Sequence, residues 1–195
     1  MAIFFTADTH FGLVDYDGIV KRDFRPFKTI NDMNKFIIKL WNTQAGKNDI
    51  IYHIGDFVNY NVKDKDSYEV CFDFVKKLKA KVVLILGNNE KRLLAQKFDN
   101  DFEKFRNYLL NKGFYDVVKD GLELDACGTK LYLTHMPIDH KEGFINLFGH
   151  IHGCCFVKKY GFNVGIDNHY LSMFTEDEIS KLIGNLPLYD ENVFE

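Results

Sequence analysis

The stretch Ile3-Phe4-Phe5-Thr6-Ala7-Asp8-Thr9-His10 joins a short apolar run to a carboxylate and an imidazole two residues apart. The run is too short for a helix and reads as a buried strand over residues 3–7 that stops at Asp8. The same pattern recurs along the chain. A strand over 49–54 runs into Gly55-Asp56, one over 81–86 into Gly87-Asn88-Asn89-Glu90, and one over 130–134 into His135. A short strand around 146–148 leads into Gly149-His150-Ile151-His152-Gly153, whose glycines allow a tight turn that presents both imidazoles together. Ligands of open α/β sheets sit beyond the carboxyl ends of the strands. Polar clusters at five strand ends are therefore placed to converge on one point.

Helix-period segments separate these strands. Ile30, Met33, Ile37, Leu40 and Trp41 predict a helix over 30–44, started by Thr29 with Asp32 and stopped by Gly46. Cys71, Phe74, Val75 and Leu78 predict a second over 67–78, and Phe102, Phe105, Leu109 and Leu110 a third that Gly113 ends. Beyond Phe114 the texture turns to short strands, over 115–118, 122–125, 156–159 and 162–166, before a last helix over 176–182 capped by Thr175 and Glu178. The plan is βαβαβα followed by a strand-rich half, an α/β layered arrangement with part of its sheet antiparallel. No repeat or linker divides it, so the expectation is one domain over 1–195 with a tail from Pro187.

With 195 residues, 46% hydrophobic and 27% charged, the chain has ordinary globular composition, which excludes disorder, collagen and coiled coil. Lys and Arg number 25 against 28 Asp and Glu, a net charge of −3 that argues against affinity built on neutralising many phosphates. Cys71, Cys127, Cys154 and Cys155 form no CxxC pair and read as free thiols. The N-terminus lacks a basic region, and no apolar run approaches the ~20 residues that span a bilayer. The expectation is a cytoplasmic protein without membrane partners. Phe11 and Phe57, which follow two of the clusters, are expected to wall the site, and His53 to be a core histidine on the other face of its strand.

The donors at the strand ends are Asp, His and Asn, without thiolate. That set suits Mn, Fe, Zn or Mg rather than a soft metal or an Fe–S cluster. Taken in order, from Asp8 to His152, the clusters resemble the DxH, GD, GN, H and GHxH motifs of the calcineurin-like metallophosphoesterases. The resemblance implies a four-layer αββα sandwich of two mixed sheets with two divalent ions at the sheet rim, Mn²⁺ foremost with Fe, Zn, Mg or Ni as alternatives. It places Asp8, His10 and His152 on one ion, Asn88, His135 and His150 on the other, and Asp56 between them. Two divalent ions outweigh the carboxylates of Asp8 and Asp56, so the site stays attractive to phosphate. They also lower the pKa of bound water from about 15.7 to as little as ~7, so that a bridging hydroxide is available as nucleophile.

The sequence departs from those motifs at Asn89, where the family usually carries a histidine that protonates the leaving oxygen or binds phosphate. An amide donates a hydrogen bond but not a proton in that sense. The expectation is therefore a phosphoesterase biased toward diesters, with Asn89 and Asp56 as the residues nearest the chemistry. The alternative is a metal-bound protein-interaction scaffold of the same fold with little catalysis. Arg25, Arg92 and His140 are expected substrate contacts, for a phosphate ester that could be a nucleotide. Nucleic acid enters only as a possible substrate, because no basic cluster is present to bind it otherwise.

Overall fold

The computed structural model describes residues 1–14, 18–59 and 67–188. The charge run Lys63-Asp64-Lys65-Asp66, expected as a solvated helix entrance, lies outside them.

Strand β1 (Ile3–Thr6) is followed by a single-turn helix α1 (Ile19–Arg22), helix α2 (Ile30–Gln44) and strand β2 (Ile50–Ile54). Helix α3 (Ser67–Phe72) tightens into a 3₁₀ stretch, Asp73–Lys77, before β3 (Lys81–Ile85). Helices α4 (Asn88–Lys97) and α5 (Phe102–Lys112) precede β4 (Asp116–Val118), β5 (Gly121–Ala126), β6 (Thr129–Thr134) and β7 (Ile145–Phe148). The chain then forms β8 (Val157–Lys158), β9 (Gly161–Asn163), β10 (Phe174–Thr175) and α6 (Glu176–Asn185).

Among the described residues ten strands make two five-stranded mixed sheets, ordered β10-β1-β2-β3-β4 and β5-β6-β7-β9-β8. In the first, β1 to β4 run parallel and β10 joins antiparallel. In the second, the central pairs β6–β7 and β7–β9 are parallel and both edges antiparallel. Strand periodicity assigns the faces of the first sheet. Phe4, Ile51, Val82, Leu84 and Val117 join the core that α1 to α5 cover. Phe5, Ile54 and Ile85 point the other way, into a second core shared with Leu131, Leu133, Leu147 and Phe162 of the facing sheet. Helix α6 packs Ile179, Leu182 and Ile183 into that inter-sheet core. The architecture is an α/β sandwich of two mixed sheets, as the motifs led us to expect.

Helix α2 has the predicted limits because Thr29 Oγ1 accepts the Asp32 N–H at 3.1 Å and Ile30, Met33, Ile37 and Trp41 are buried. Three differences have physical causes. The helix predicted over 67–78 changes pitch at Asp73, a common tightening of the last turns that keeps Phe74 and Val75 buried. Helix α4 was not predicted, since its apolar face is reduced to Leu93 and Leu94. The strand predicted over 162–166 leaves its sheet after Asn163. Its continuation runs beside Ala7, just past the end of β1, with Ile166 N donating to Ala7 O at 3.1 Å. Phe11 and Phe57 are fully buried in the helix-covered core, 5.0 Å apart edge to face, and do not wall any site. No helix among the described residues is long and apolar enough to cross a membrane.

Candidate metal centre

Backbone pairing of β1 and β2 continues past the strand ends. Asp8 N donates to Gly55 O at 3.0 Å, His10 N to Asp56 O at 3.0 Å and Phe11 N to Phe57 O at 2.8 Å. Two loops are thus locked in register, which fixes Asp8, His10 and Asp56 beside one another. Their φ angles are +60°, +52° and +54°, and His150 and His152 have +71° and +50°. A left-handed non-glycine residue costs about 1–3 kcal/mol, and such strain collects where function constrains the backbone. Here it collects on residues that the sequence motifs single out.

Asp8 is fully buried and accepts the His150 N–H with both oxygens, at 3.1 and 2.9 Å. Burial pushes its carboxyl up to about 6, with His135 and His152 pulling the other way. Asp56 Oδ1 accepts the Asn89 N–H at 2.9 Å, in the first turn of α4 where partial positive charge favours a carboxylate. Its oxygens also lie 3.7 Å from His10 Nε2 and 3.5 Å from His135 Nε2, so Asp56 stands between two imidazoles.

His135 Nδ1 lies 2.9 Å from Ile54 O. A carbonyl only accepts, so Nδ1 carries the proton and Nε2 keeps its lone pair. Asn88 Oδ1 lies 3.0 Å from that Nε2 and 2.8 Å from His150 Nδ1. On the other side the His10 and His152 rings stack with centroids 5.1 Å apart. Ligand atoms of Asp8, His10 and His152 lie within 4.8 Å of one another, and so do those of Asp8, Asp56 and His135. Carboxylate oxygen, amide oxygen and imidazole nitrogen in this proximity are a donor set that fits borderline and hard divalent cations. Two glycines make the approach possible. A Cβ at Gly55, which has φ +83°, would lie 2.4 Å from His135 Nδ1, and one at Gly149 2.7 Å from Asp8 Oδ2.

Supporting residues were missed at the level of sequence. Glu90 accepts N–H groups from Gly87 and Asp56 at 2.9 Å, Phe57 at 3.0 Å and Val58 at 3.3 Å, tying the β2 and β3 loops together. Burial and the neighbouring Asp56 raise its carboxyl, and the N–H donors oppose them. Asp167 Oδ2 and Asp23 Oδ2 lie 3.0 and 3.2 Å from His152 Nδ1. Burial works against a charged His152, but these carboxylates outweigh it and push the ring up to about 10. Asp167 could have been suspected, because it too follows a predicted strand end. Asp23 carries no such signal, whereas Glu90 belongs to the Gly87-Asn88-Asn89-Glu90 cluster at a strand end and only its supporting role went unread.

The structure brings Asp8, His10, Asp56, Asn88, His135, His150 and His152 together at the rim of both sheets. A cleft of about 700 Å³ opens over them, lined by His10, Asp56, Asn88, Asn89, His150 and His152, with Arg92 and Lys158 also facing it. Asn89 is buried at the base of α4, its Nδ2 donating to Val58 O at 3.1 Å and lying 3.3 Å from His10 Nδ1. Arg25 is not brought to the cleft. Its guanidinium is 4% exposed and is held by Asp167 at 2.8 and 2.9 Å, Asp8 O at 2.7 Å and Thr9 O at 3.0 Å. The expected phosphate contact is replaced by a clamp behind the site, because a buried guanidinium takes the carboxylate and carbonyls nearest it. His140 is also elsewhere, exposed after a 3₁₀ turn and stacked on Tyr160 at 4.1 Å.

An uncharacterized protein of Methanocaldococcus jannaschii is 35% identical over 89 residues, 46% of this chain, and the match spans only 47% of that protein's length. A crystal structure of a protein of unknown function from Aquifex aeolicus superposes with a TM-score of 0.60 at 20% identity, covering 93% of this chain and 98% of the other. A phosphoesterase from E. coli gives a TM-score of 0.45 at 16% identity, over 85% of this chain and 78% of that one. The calcineurin-like phosphoesterase profile matches residues 1–189, nearly the whole of the sandwich and its rim, and the chain belongs to that family.

Proposed function

We propose that the chain is a two-metal phosphoesterase acting on phosphodiesters. Asp8, His10 and His152 would hold one divalent ion and Asn88, His135 and His150 the other, with Asp56 standing between the two groups of residues. The observation that carries this reading is the position of Asp56, within 3.7 Å of His10 Nε2 on one side and 3.5 Å of His135 Nε2 on the other. When bound, paired divalent ions supply Lewis acidity toward phosphoryl oxygens and lower the pKa of water.

The remaining work falls to the chain's own residues. His135 is fixed by Ile54 O in the tautomer that offers Nε2, and His152 is fixed by Asp167 so that Nε2 is its remaining ligand atom. Arg92 and Lys158 line the cleft as cations for the phosphate, since among the described residues neither is held by carboxylates as Arg25 is. Asn89 lines the same cleft, but its Nδ2 is engaged by Val58 O and His10 Nδ1, and an amide has no proton to give the departing oxygen. Without a general acid, typically worth about 10²–10⁴ in rate, good leaving groups are favoured.

The test is Mn²⁺-dependent hydrolysis of bis-p-nitrophenyl phosphate against p-nitrophenyl phosphate, for the parent, Asp56→Ala and Asn89→His. Diester turnover abolished in Asp56→Ala, with monoester turnover rising about 10²-fold in Asn89→His, is the expected result. Silence of the parent and of Asn89→His toward both esters would replace the enzyme with a metal-bound scaffold.

A further inference from the structure

A second cavity of about 510 Å³ adjoins the cleft, and the two share Asp23 in their linings. Asp167, which bonds His152, lines it as well. Apart from Arg25, its other walls are mostly apolar, with Phe24, Pro26, Phe27, Phe36, Tyr170 and Leu171 among them. Phe27 and Phe36 pack together with ring centroids 5.3 Å apart. Phe24 and Tyr170 do the opposite, standing 91% and 93% exposed at the cavity. Each has a left-handed backbone, with φ +54° and +52°. Large side chains avoid that conformation unless the surrounding structure imposes it.

The backbone around both aromatics is tied down. Phe27 N donates to Arg25 O at 2.8 Å and Arg25 Nη2 reaches Asp8 O at 2.7 Å, so the segment bearing Phe24 is bolted to the proposed metal loop. On the other side Leu171 N donates to Ile166 O, and Leu171 O accepts from the Trp41 indole, both at 2.9 Å. Two rings are thereby held in water on fixed backbone, Phe24 between Asp23 and Arg25 in the chain and Tyr170 three residues past Asp167. Exposed aromatic faces on rigid supports are what a planar ring stacks on, and the enclosed volume is in the range of small-ligand sites.

We infer that this cavity takes the planar heterocycle of the substrate, a nucleobase, while the phosphate sits over the proposed ligands. The inference rests on the phosphoesterase reading and narrows its substrate to nucleotide-type diesters. A second phosphate does not suit the cavity. Its cation, Arg25, is already held by Asp167 and two carbonyls, and the carboxylates of Asp23 and Asp167 repel anions. An aromatic base attached through its sugar satisfies both halves, with the anion in the cleft and the ring between Phe24 and Tyr170.

Two measurements on the full chain test it. The first titrates a fluorescent aminopurine riboside, a ring with no phosphate, into the protein and follows quenching on stacking. The second compares, with Mn²⁺, the p-nitrophenyl ester of thymidine monophosphate with methyl p-nitrophenyl phosphate, which has the same leaving group and no base. Saturable quenching is expected, weakened about tenfold by Phe24→Ser or Tyr170→Ser and kept by Phe24→Trp, because one stacked base is worth about that factor. The kcat/KM preference for the nucleoside ester should fall by a similar factor in both Ser variants, with far-UV circular dichroism unchanged. Equal hydrolysis of both esters with no quenching would overturn the ring site and leave the phosphoesterase reading standing. Quenching that depends on Phe24, with neither ester hydrolysed, would uphold the ring site and overturn the phosphoesterase reading. A dimer in light scattering that Phe24→Ser dissolves would instead assign the two rings to contact between copies.

Discussion

Asp167 holds His152 from behind, its Oδ2 3.0 Å from the ring's Nδ1, while Arg25 Nη2 grips the same oxygen at 2.9 Å. A proposed ligand ring is thus oriented by an acid that is itself fixed by a buried cation. Loss of such outer partners typically costs 10–100-fold in metal affinity. Asp167→Asn is expected to weaken Mn²⁺ binding by about that range in calorimetric titration. Undiminished affinity would mean that Asp23 alone suffices to hold the ring.

Gly55 tests how tightly the centre is built. Alanine there must adopt φ +83° and place its Cβ 2.4 Å from His135 Nδ1 and 2.6 Å from the Gly87 Cα. The backbone contact cannot be relieved by a rotamer change. Gly55→Ala is expected to lower unfolding stability by about 2–4 kcal/mol in urea, combining overpacking with left-handed strain, and to abolish Mn²⁺ binding. A variant that folds and binds Mn²⁺ like the parent would show that His135 is free to move aside.

Glu90 is the next weak point. Its two oxygens serve four backbone N–H groups, and an amide of the same shape turns one acceptor into a donor facing donors. Glu90→Gln is expected to cost about 1–3 kcal/mol, read as a lower urea midpoint with unchanged slope. An unaltered midpoint would show that these N–H groups find other acceptors.

The strand ends were legible because each pairs an apolar run with a polar cluster, as in Ile3 to Asp8, and parallel pairing must bring such ends to one rim. What was not legible is what that rim needs behind it. Glu90 opens a helix too polar to register by periodicity, and Asp23 follows a helix of only four residues, Ile19–Arg22. Arg25 looked like a phosphate contact because an exposed and a buried guanidinium read alike until burial is known. Phe11 and Phe57 looked like site walls because sequence adjacency to a ligand says nothing of side. The left-handed turns at His10 and Asp56 send the next residue into the core instead.

His53 gives the fold a dependence on pH away from the cleft. Burial depresses its ring from 6.5 to about 3, and its Nε2 lies 2.8 Å from Thr9 Oγ1. Between these values the unfolded chain binds the extra proton, so stability is full above 6.5 and is lost as pH falls toward 3. The slope from this residue is about 1.4 kcal/mol per pH unit. Urea unfolding of the metal-free protein from pH ~6 to ~4 should be shallower in pH by about that amount in His53→Leu. Identical slopes would mean that the ring is protonated inside the fold.

Asp8 and His150, joined at 2.9 Å, are 142 residues apart in the chain. At roughly 5–20 residues per second, a ribosome delivers the second on the order of ten seconds after the first. From Asp56 until His135 is made, a nascent chain owns Asp8, His10 and Asp56 but none of the imidazoles of the second sheet. On the proposed ligand set, the unfinished protein offers chiefly oxygen and gains three of its four imidazoles only once β6, β7 and the turn beyond β7 emerge. Biosynthesis would therefore present the cell's metals with two different sites in succession, the early one suited to Mg²⁺ and the finished one to Mn²⁺, Fe²⁺ or Zn²⁺.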